Sequence, residues 1–305
     1  MVNNNDLSKK EQEKYNNFNN FYIEPAVDMF NKIFSNAKED TKKMDFYEPY
    51  LNIIKKTSDL IKESNVSGPL QSSVLFEYLL WNGYLSKDNN LVFSTSDRIL
   101  NLGLPGADIV RGKSVCLNNA MMLNEVLRES GFESYILGCN VDTSLPKINL
   151  EYRPNIERNV DEKTGLKYKV LSSIAKVTPI KHVGNHAFTL INYDGKYVIC
   201  DPTNLTFLEN NGLFKANFVG ADTEVVIKPW VIFHNKIKHE DFHKLFNKLL
   251  EQSDESVLSL EKVRNFSEYV MEVCEESKPL FKDFHEDIKE DINIVANTLV
   301  KTPRK

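Results

Sequence analysis

The chain reads as an α+β protein, with short antiparallel strands in its middle and helices on both sides. Two observations carry that expectation. Strand-like runs cluster between residues 135 and 227, and two of them meet at Asp194-Gly195, a residue pair suited to a tight hairpin turn. Before and after this region, apolar residues recur at the three-and-four spacing that lines one face of a helix. With 305 residues, 41% hydrophobic and 27% charged, the chain has enough apolar material for a full core and the composition of an ordinary soluble domain.

Taken in order, residues 1–20 are rich in Asn and Lys with few apolar positions, and read as a flexible tail. Residues 21–68 form an N-terminal helical segment. Pro25 opens its first helix, where a missing N–H costs nothing, and Ala26, Met29, Phe30 and Ile33 make the apolar stripe. A second helix is expected from Tyr50 to Ser64. Residues 69–232 form the expected core. Its first helix runs from Leu70 to Asn82, entered at Pro69 and closed by Gly83. Turn signals follow at Asp88-Asn89-Asn90 and Pro105-Gly106. Another helix starts at Cys116, carries Ala120, Leu123, Val126 and Leu127, and stops at Gly131.

Strands are expected at Tyr135–Cys139, Tyr168–Val177, His186–Tyr193, Tyr197–Cys200 and Glu224–Ile227. Residues 141–166 are polar, hold two prolines, and read as a long loop. Residues 233–305 form a C-terminal helical segment with a break near Pro279. From His239 to Val300 there are 15 acidic against 7 basic residues, more than the whole net charge of −5. Phe242, Phe246, Leu249 and Leu250 give that segment an apolar face, which favours packing on the core. The alternative is an acidic docking surface for a basic protein partner.

The same composition excludes several classes. No basic stripe is present to follow a phosphate backbone, so nucleic acid is not an expected partner. Cys116, Cys139, Cys200 and Cys274 are too few and too dispersed for a disulfide framework, and no CxxC pair suggests zinc. His182 and His186 stand four apart, a spacing that would pair them on a helix, but in strand-like text it sets them about 13 Å apart along the chain and loses that meaning. His234, His239 and His243 lie in amphipathic text with no nearby Cys and read as a solvated face. No metal and no cofactor are expected. The first residues lack the apolar stretch of a signal peptide, and no run approaches the roughly 20 apolar residues that span a bilayer. No membrane contact and a cytoplasmic location are the expectation.

Three residues suggest chemistry. Cys116 stands where Gly112-Lys113-Ser114-Val115 turns into a helix. A thiol is nucleophilic as thiolate, and unpaired N–H groups at a helix start favour an anion. The bland reading is a small thiol buried at the start of a core helix. His186 sits on a strand among Ala187, Phe188 and Leu190, where a lone histidine is an ordinary core residue. Asp201 ends the strand Tyr197-Val198-Ile199-Cys200 and precedes Pro202, as many strand-ending aspartates do. The hairpin joins these facts. Folding back at Asp194-Gly195 brings the start of one strand beside the end of the next, within reach of a His186–Asp201 hydrogen bond. Thiol, base and orienting carboxylate are the parts of a nucleophilic triad.

The run Gly112-x-x-Val115-Cys116-x-x-x-Ala120-x-x-Leu123, with Leu127-Arg128-x-x-Gly131 after it, resembles the cysteine motif of the transglutaminase-like superfamily. His186-Ala187-Phe188, Asp194-Gly195-Lys196-Tyr197 and Asp201-Pro202-Thr203 resemble its histidine and aspartate motifs, with Phe188 where tryptophan is usual. The resemblance spans about residues 70–210. It implies a papain-like core, with the nucleophile helix packed on an antiparallel sheet, and Cys116, His186 and Asp201 as catalytic residues. It implies action on amide bonds through a thioester, with a carboxamide-bearing peptide or protein as substrate. Hydrolysis by a peptidase, amidase or deamidase is the leading expectation, transamidation the alternative. A non-catalytic binding module on the same fold is the rival class. Relatives add an oxyanion donor upstream of the cysteine, for which Trp81, Asn82 and Asn101 are candidates here; Trp81 also reads as a plain core aromatic. The calcium that some members need finds no Asp/Asn-rich loop of EF-hand type.

Overall fold

A computed structural model of the chain describes residues 44–88, 91–93, 106–142, 151–152, 155–160, 167–172, 177–178, 183–203, 206–210, 215–218, 224–233, 244–245, 248–249 and 257–301. The expected tail, the helix opened by Pro25, Asn101, His182, His234, His239 and His243 lie outside the described residues. So do Phe242, Phe246 and Leu250.

The helices in chain order are α1 (Tyr47–Glu63), α2 (Pro69–Trp81), the single turn α3 (Ala107–Val110), α4 (Cys116–Glu129), α5 (Leu260–Glu276) and α6 (Lys278–Lys301). The strands are β1 (Val92–Phe93), β2 (Lys113–Ser114), β3 (Ser134–Asp142), β4 (Glu151–Tyr152), β5 (Asn155–Val160) and β6 (Lys167–Ser172). Then come β7 (Val177–Thr178), β8 (Val183–Tyr193), β9 (Lys196–Asp201), β10 (Thr206–Asn210), β11 (Lys215–Phe218) and β12 (Glu224–Phe233). The protein is mixed helix and antiparallel sheet, as the sequence predicts.

Six strands close on themselves in the order β10-β11-β12-β3-β8-β9, every neighbour antiparallel. Closure leaves this sheet without edge strands. The β8–β9 hairpin turns at Asp194-Gly195, and both residues have positive φ, +50° and +81°. That is the backbone of a primed two-residue turn, which Gly195 adopts without strain. Nothing lies within 4 Å of where a Gly195 Cβ would sit, so the glycine answers to backbone conformation and not to crowding.

The strand expectations change in three places. Residues 141–166 are not all loop: β3 continues to Asp142, and β5 pairs with β6 over Asn155–Val160. The expected Tyr168–Val177 strand is two pieces, β6 paired with β5 and β7 paired with β4. Strand β5, Asn155-Ile156-Glu157-Arg158-Asn159-Val160, is polar at adjacent positions, so periodicity gave no strand signal there. Glu224–Ile227 is the start of the longer β12. Its register shifts between Pro229 and Val231, because proline has no N–H for the ladder and the strand absorbs it as a bulge. Strands β10 and β11 were not legible, being short and polar around Asn211-Gly212.

Two buried clusters flank α4. The larger joins α1, α2, α3, α5 and α6 to Met122, Leu123, Val126 and Leu127 of α4, and reaches Ile191, Val198 and Cys200 of the sheet. The smaller comprises Ile136, Leu137, Cys139, Ala187, Phe188, Leu190, Ile199 and neighbours on the strands, with Ala120 and Met121 of α4. Helix α4 is thus held between a helical layer and the barrel. It ends in a Schellman turn: Phe132 N–H bonds Leu127 C=O at 2.9 Å and Gly131 N–H bonds Arg128 C=O at 3.0 Å, with Gly131 at φ +92°. Gly83 closes α2 by the same pair of bonds. Helix α2 is buried on nearly every side, so it carries no polar stripe.

Val263, Phe266, Val270, Cys274, Phe281, Phe284, Ile288, Ile292 and Val295 of the acidic C-terminal helices belong to the larger cluster. Their carboxylates lie on the opposite faces; Glu268, Glu272, Asp283, Glu286 and Asp287 are exposed. Leu245 and Leu249 are buried against the smaller cluster. Among the described residues no helix is long and apolar enough to cross a membrane.

Candidate functional site

The site grows from the start of α4. Val115 is extended (φ −123°, ψ 173°) and Cys116 is the first helical residue. Valine has no side-chain acceptor, so the first N–H groups of α4 have no side-chain cap from the N-cap position. Instead Asn118 reaches back, its Oδ1 accepting the Val115 N–H at 3.0 Å. Cys116 is half-buried, whereas Cys139, Cys200 and Cys274 are buried.

Strand β8 supplies the base. Its ladder with β3 sets His186 opposite Cys139, and its ladder with β9 sets Thr189 opposite Cys200. One more step along that second register brings Asp201 across from Phe188, one pleat from His186 on the same face. The side chains meet there: His186 Nε2 and Asp201 Oδ2 are 2.9 Å apart. Asp201 Oδ1 accepts the Thr203 N–H at 3.0 Å, an Asx turn across Pro202. Both carboxylate oxygens are therefore engaged, in a residue only 4% exposed. Phe188 stands edge-on to the imidazole, ring centroids 4.6 Å apart, so phenylalanine does pack against the histidine where the resemblance leads one to expect tryptophan.

The electrostatics follow from the neighbours. Burial pushes the His186 imidazole down, but the Asp201 charge and hydrogen bond, with a hydrogen bond and charge from Cys116, outweigh it and raise His186 to about 10. Because Nε2 is on Asp201, the other ring nitrogen, Nδ1, is the one left to meet the Cys116 thiol. Burial, then the charges of Asp201 and Cys116, push the Cys139 thiol well above its usual value. Burial, then the charges of Glu77 and Asp201, push Cys200 up likewise. Both surroundings disfavour the thiolate, the form in which a cysteine is nucleophilic.

Sequence reasoning missed two residues. Glu77 of α2 is 3% exposed. Burial holds its carboxyl well above the usual carboxylate range; the Trp81 hydrogen bond opposes this and the Asp201 charge adds to it. The available signal was one acid inside the apolar run from Leu70 to Leu80. Asn119 is fully buried on α4, and its Nδ2 donates to Thr203 Oγ1 at 3.3 Å. Its signal was polarity three residues after the cysteine, on what had to be a packed helix.

The upstream oxyanion candidates have other engagements. The Trp81 indole N–H donates to Glu77 Oε2 at 2.9 Å. Asn82 is fully buried, and its Nδ2 donates to the Tyr78 carbonyl at 2.6 Å. Both hydrogen bonds lie at the C-terminal end of α2, where they fix the helix end. Among the described residues no group of three or more His, Cys, Asp or Glu could hold a metal ion.

Chemically the arrangement is a thiol at a helix start, an imidazole beside it, and a carboxylate that fixes the imidazole. Such a set can hold a thiolate–imidazolium pair and move one proton between sulfur and a leaving group. Comparison of the chain with family models, curated proteins and solved structures finds no match.

Proposed function

We propose that this protein is a cysteine-dependent enzyme acting on amide bonds, built on a transglutaminase-like, papain-related core. The observation that carries the reading is the 2.9 Å contact of His186 with Asp201 beside Cys116 at the first position of α4. A structural cysteine and a core histidine have no need of a buried aspartate held on both oxygens.

In this reading the Cys116 sulfur attacks the carbonyl carbon of a carboxamide or peptide. The oxygen that becomes negative meets the N–H groups that open α4, since the Trp81 and Asn82 side chains are bound elsewhere. Collapse of the tetrahedral species expels the amine, which takes the proton from His186 and leaves a thioester on Cys116. Water, deprotonated by His186, then attacks the thioester, releases the acid, and returns the thiol. Asp201 keeps the imidazole oriented throughout and compensates the imidazolium charge. An amine in place of the water gives transamidation by the same steps. Hydrolysis of a carboxamide-bearing peptide or protein is the leading assignment.

A mixed library of peptides and proteins, incubated with the native chain and with Cys116→Ala and read by mass spectrometry, tests this. Cleavage, deamidation and cross-linking each leave a different mass change. The expected result is one of these three with the native chain, lost by about 10⁴-fold or more in the variant. Equal turnover by both proteins would sink the reading, and so would a broad library left wholly unaltered.

A further inference from the structure

We infer that Asn119 and Thr203 are positioning residues of this site, forming a clamp that ties the cysteine-bearing helix to the carboxylate that orients His186. The inference rests on the proposed amide chemistry for its functional meaning and on geometry for its existence.

The bonds form a ring. Asn119 lies three residues after Cys116 on α4, nearly one full turn along. Its Nδ2 donates to Thr203 Oγ1 at 3.3 Å. The N–H of the same Thr203 donates to Asp201 Oδ1 at 3.0 Å. Asp201 Oδ2 holds His186 Nε2 at 2.9 Å, and the imidazole comes back to the Cys116 thiol at the start of the same helix. Thr203 therefore fixes one carboxylate oxygen with its backbone while α4 holds Thr203 by its hydroxyl. A second strut supports the other strand: Thr189 of β8 donates its hydroxyl to the Ala120 carbonyl at 3.2 Å, three residues past His186. Helix α4 is thus tied separately to the strand that bears the base and to the turn that bears the acid.

Stability alone does not account for Asn119. It is fully buried, yet its Oδ1 has no hydrogen-bond partner among the described residues. A buried carbonyl left unpaired is costly, and an apolar residue of similar size would avoid that cost. The one bond its side chain makes among the described residues runs to the Asp201 turn. A residue kept at such a cost for one contact fits a role in geometry.

The clamp is read through His186. Among the described residues, the titratable groups that face this histidine or its partner are Asp201 and Cys200 on β9, Cys116 on α4, Cys139 on β3, whose thiol lies 3.6 Å from the His186 carbonyl oxygen, and Glu77 on α2 beside Asp201. Thr203→Val removes the hydroxyl while keeping the shape and the backbone N–H. Thr203→Ser keeps the hydroxyl. If the clamp holds Asp201 against His186, Thr203→Val lets the carboxylate swing and weakens its hold on the imidazolium.

Two measurements, each on the full chain, separate the clamp from the enzyme reading. In a Cys116→Ala background, His186 is titrated by NMR with Thr203 intact, as Val and as Ser. The clamp predicts a lower His186 pKa in the Val form and an unchanged one in the Ser form. In the native-cysteine background, alkylation of Cys116 should slow about three- to tenfold in Thr203→Val, the scale of one hydrogen bond. Its pH profile should lose its basic limb earlier, and Thr203→Ser should restore both. A His186 titration identical in all three forms overturns the clamp, whatever Cys116 does. A shifted titration with an unreactive Cys116 supports the clamp and sinks the enzyme reading instead.

Discussion

His186 is where opposing forces are weighed most finely. Burial favours the neutral ring, while the Asp201 carboxylate and then Cys116 favour the cation, and the cation wins, to about 10. The raised value means that the pair's contribution to stability is complete below the unfolded histidine range near 6.5 and is lost as pH rises through about 10. A leaving amine needs the proton that His186 carries, so the acylation step, read as release of the amine in a single turnover, should hold level across neutral pH and fall on the alkaline side with a midpoint near 10. Asp201→Asn removes the charge that raises the ring, and the alkaline limb should then move toward neutral pH; a limb that does not move would detach Asp201 from the histidine's ionisation. This pairing was legible beforehand, because Asp194-Gly195 fixes the hairpin and the hairpin fixes which residues meet across it. Glu77 and Asn119 were not, since nothing in a residue's own text says that a neighbouring element will bury it beside an aspartate.

At the scale of the element, α4 is read correctly in extent and only partly in environment. Cys116 and Gly131 bound it as the sequence predicts, because both ends are set locally. Its surroundings are not local. Leu123, Val126 and Leu127 face the helices while Ala120 and Met121 face the barrel, and Asn118, Asn119 and Asn124 are buried as well. A helix pressed from both sides has little room to relax, so Leu123→Ala should cost about 2–5 kcal/mol in denaturant unfolding. Thr189→Val, which keeps the volume and removes the bond to the Ala120 carbonyl, should cost about 1 kcal/mol. Equal and negligible losses in the two variants would mean that α4 is not gripped as described. The strands divide the same way: β8 and β9 were legible from their apolar runs and the Asp194-Gly195 turn between them, while β10 and β11 exist through pairing with partners that no local pattern announces.

At the scale of the molecule, the acidic C-terminal helices are part of the same apolar core as α1 and α2. The ring of Phe281 lies 5.6 Å from that of Tyr78 and 5.7 Å from that of Tyr84, and His285 Nδ1 meets the Tyr84 carbonyl at 2.9 Å. Lys87 reaches Asn297, and Asn52 donates to Asp291. Removing residues 257–305 exposes that core, so the truncated chain should lose cooperative unfolding or precipitate. A truncation that stays folded by circular dichroism would make the helices an appendage, and a basic partner for their acidic face would become the better account. The central claim is that Cys116 and His186 act as a pair. The rate of alkylation of Cys116, followed from about pH 5 to 9 in the native chain and in His186→Ala, tests it most directly. The account predicts that the native chain labels at least about tenfold faster on the acid side of that range, the two rates converging as pH rises through the ordinary thiol range. Superimposable profiles would contradict it.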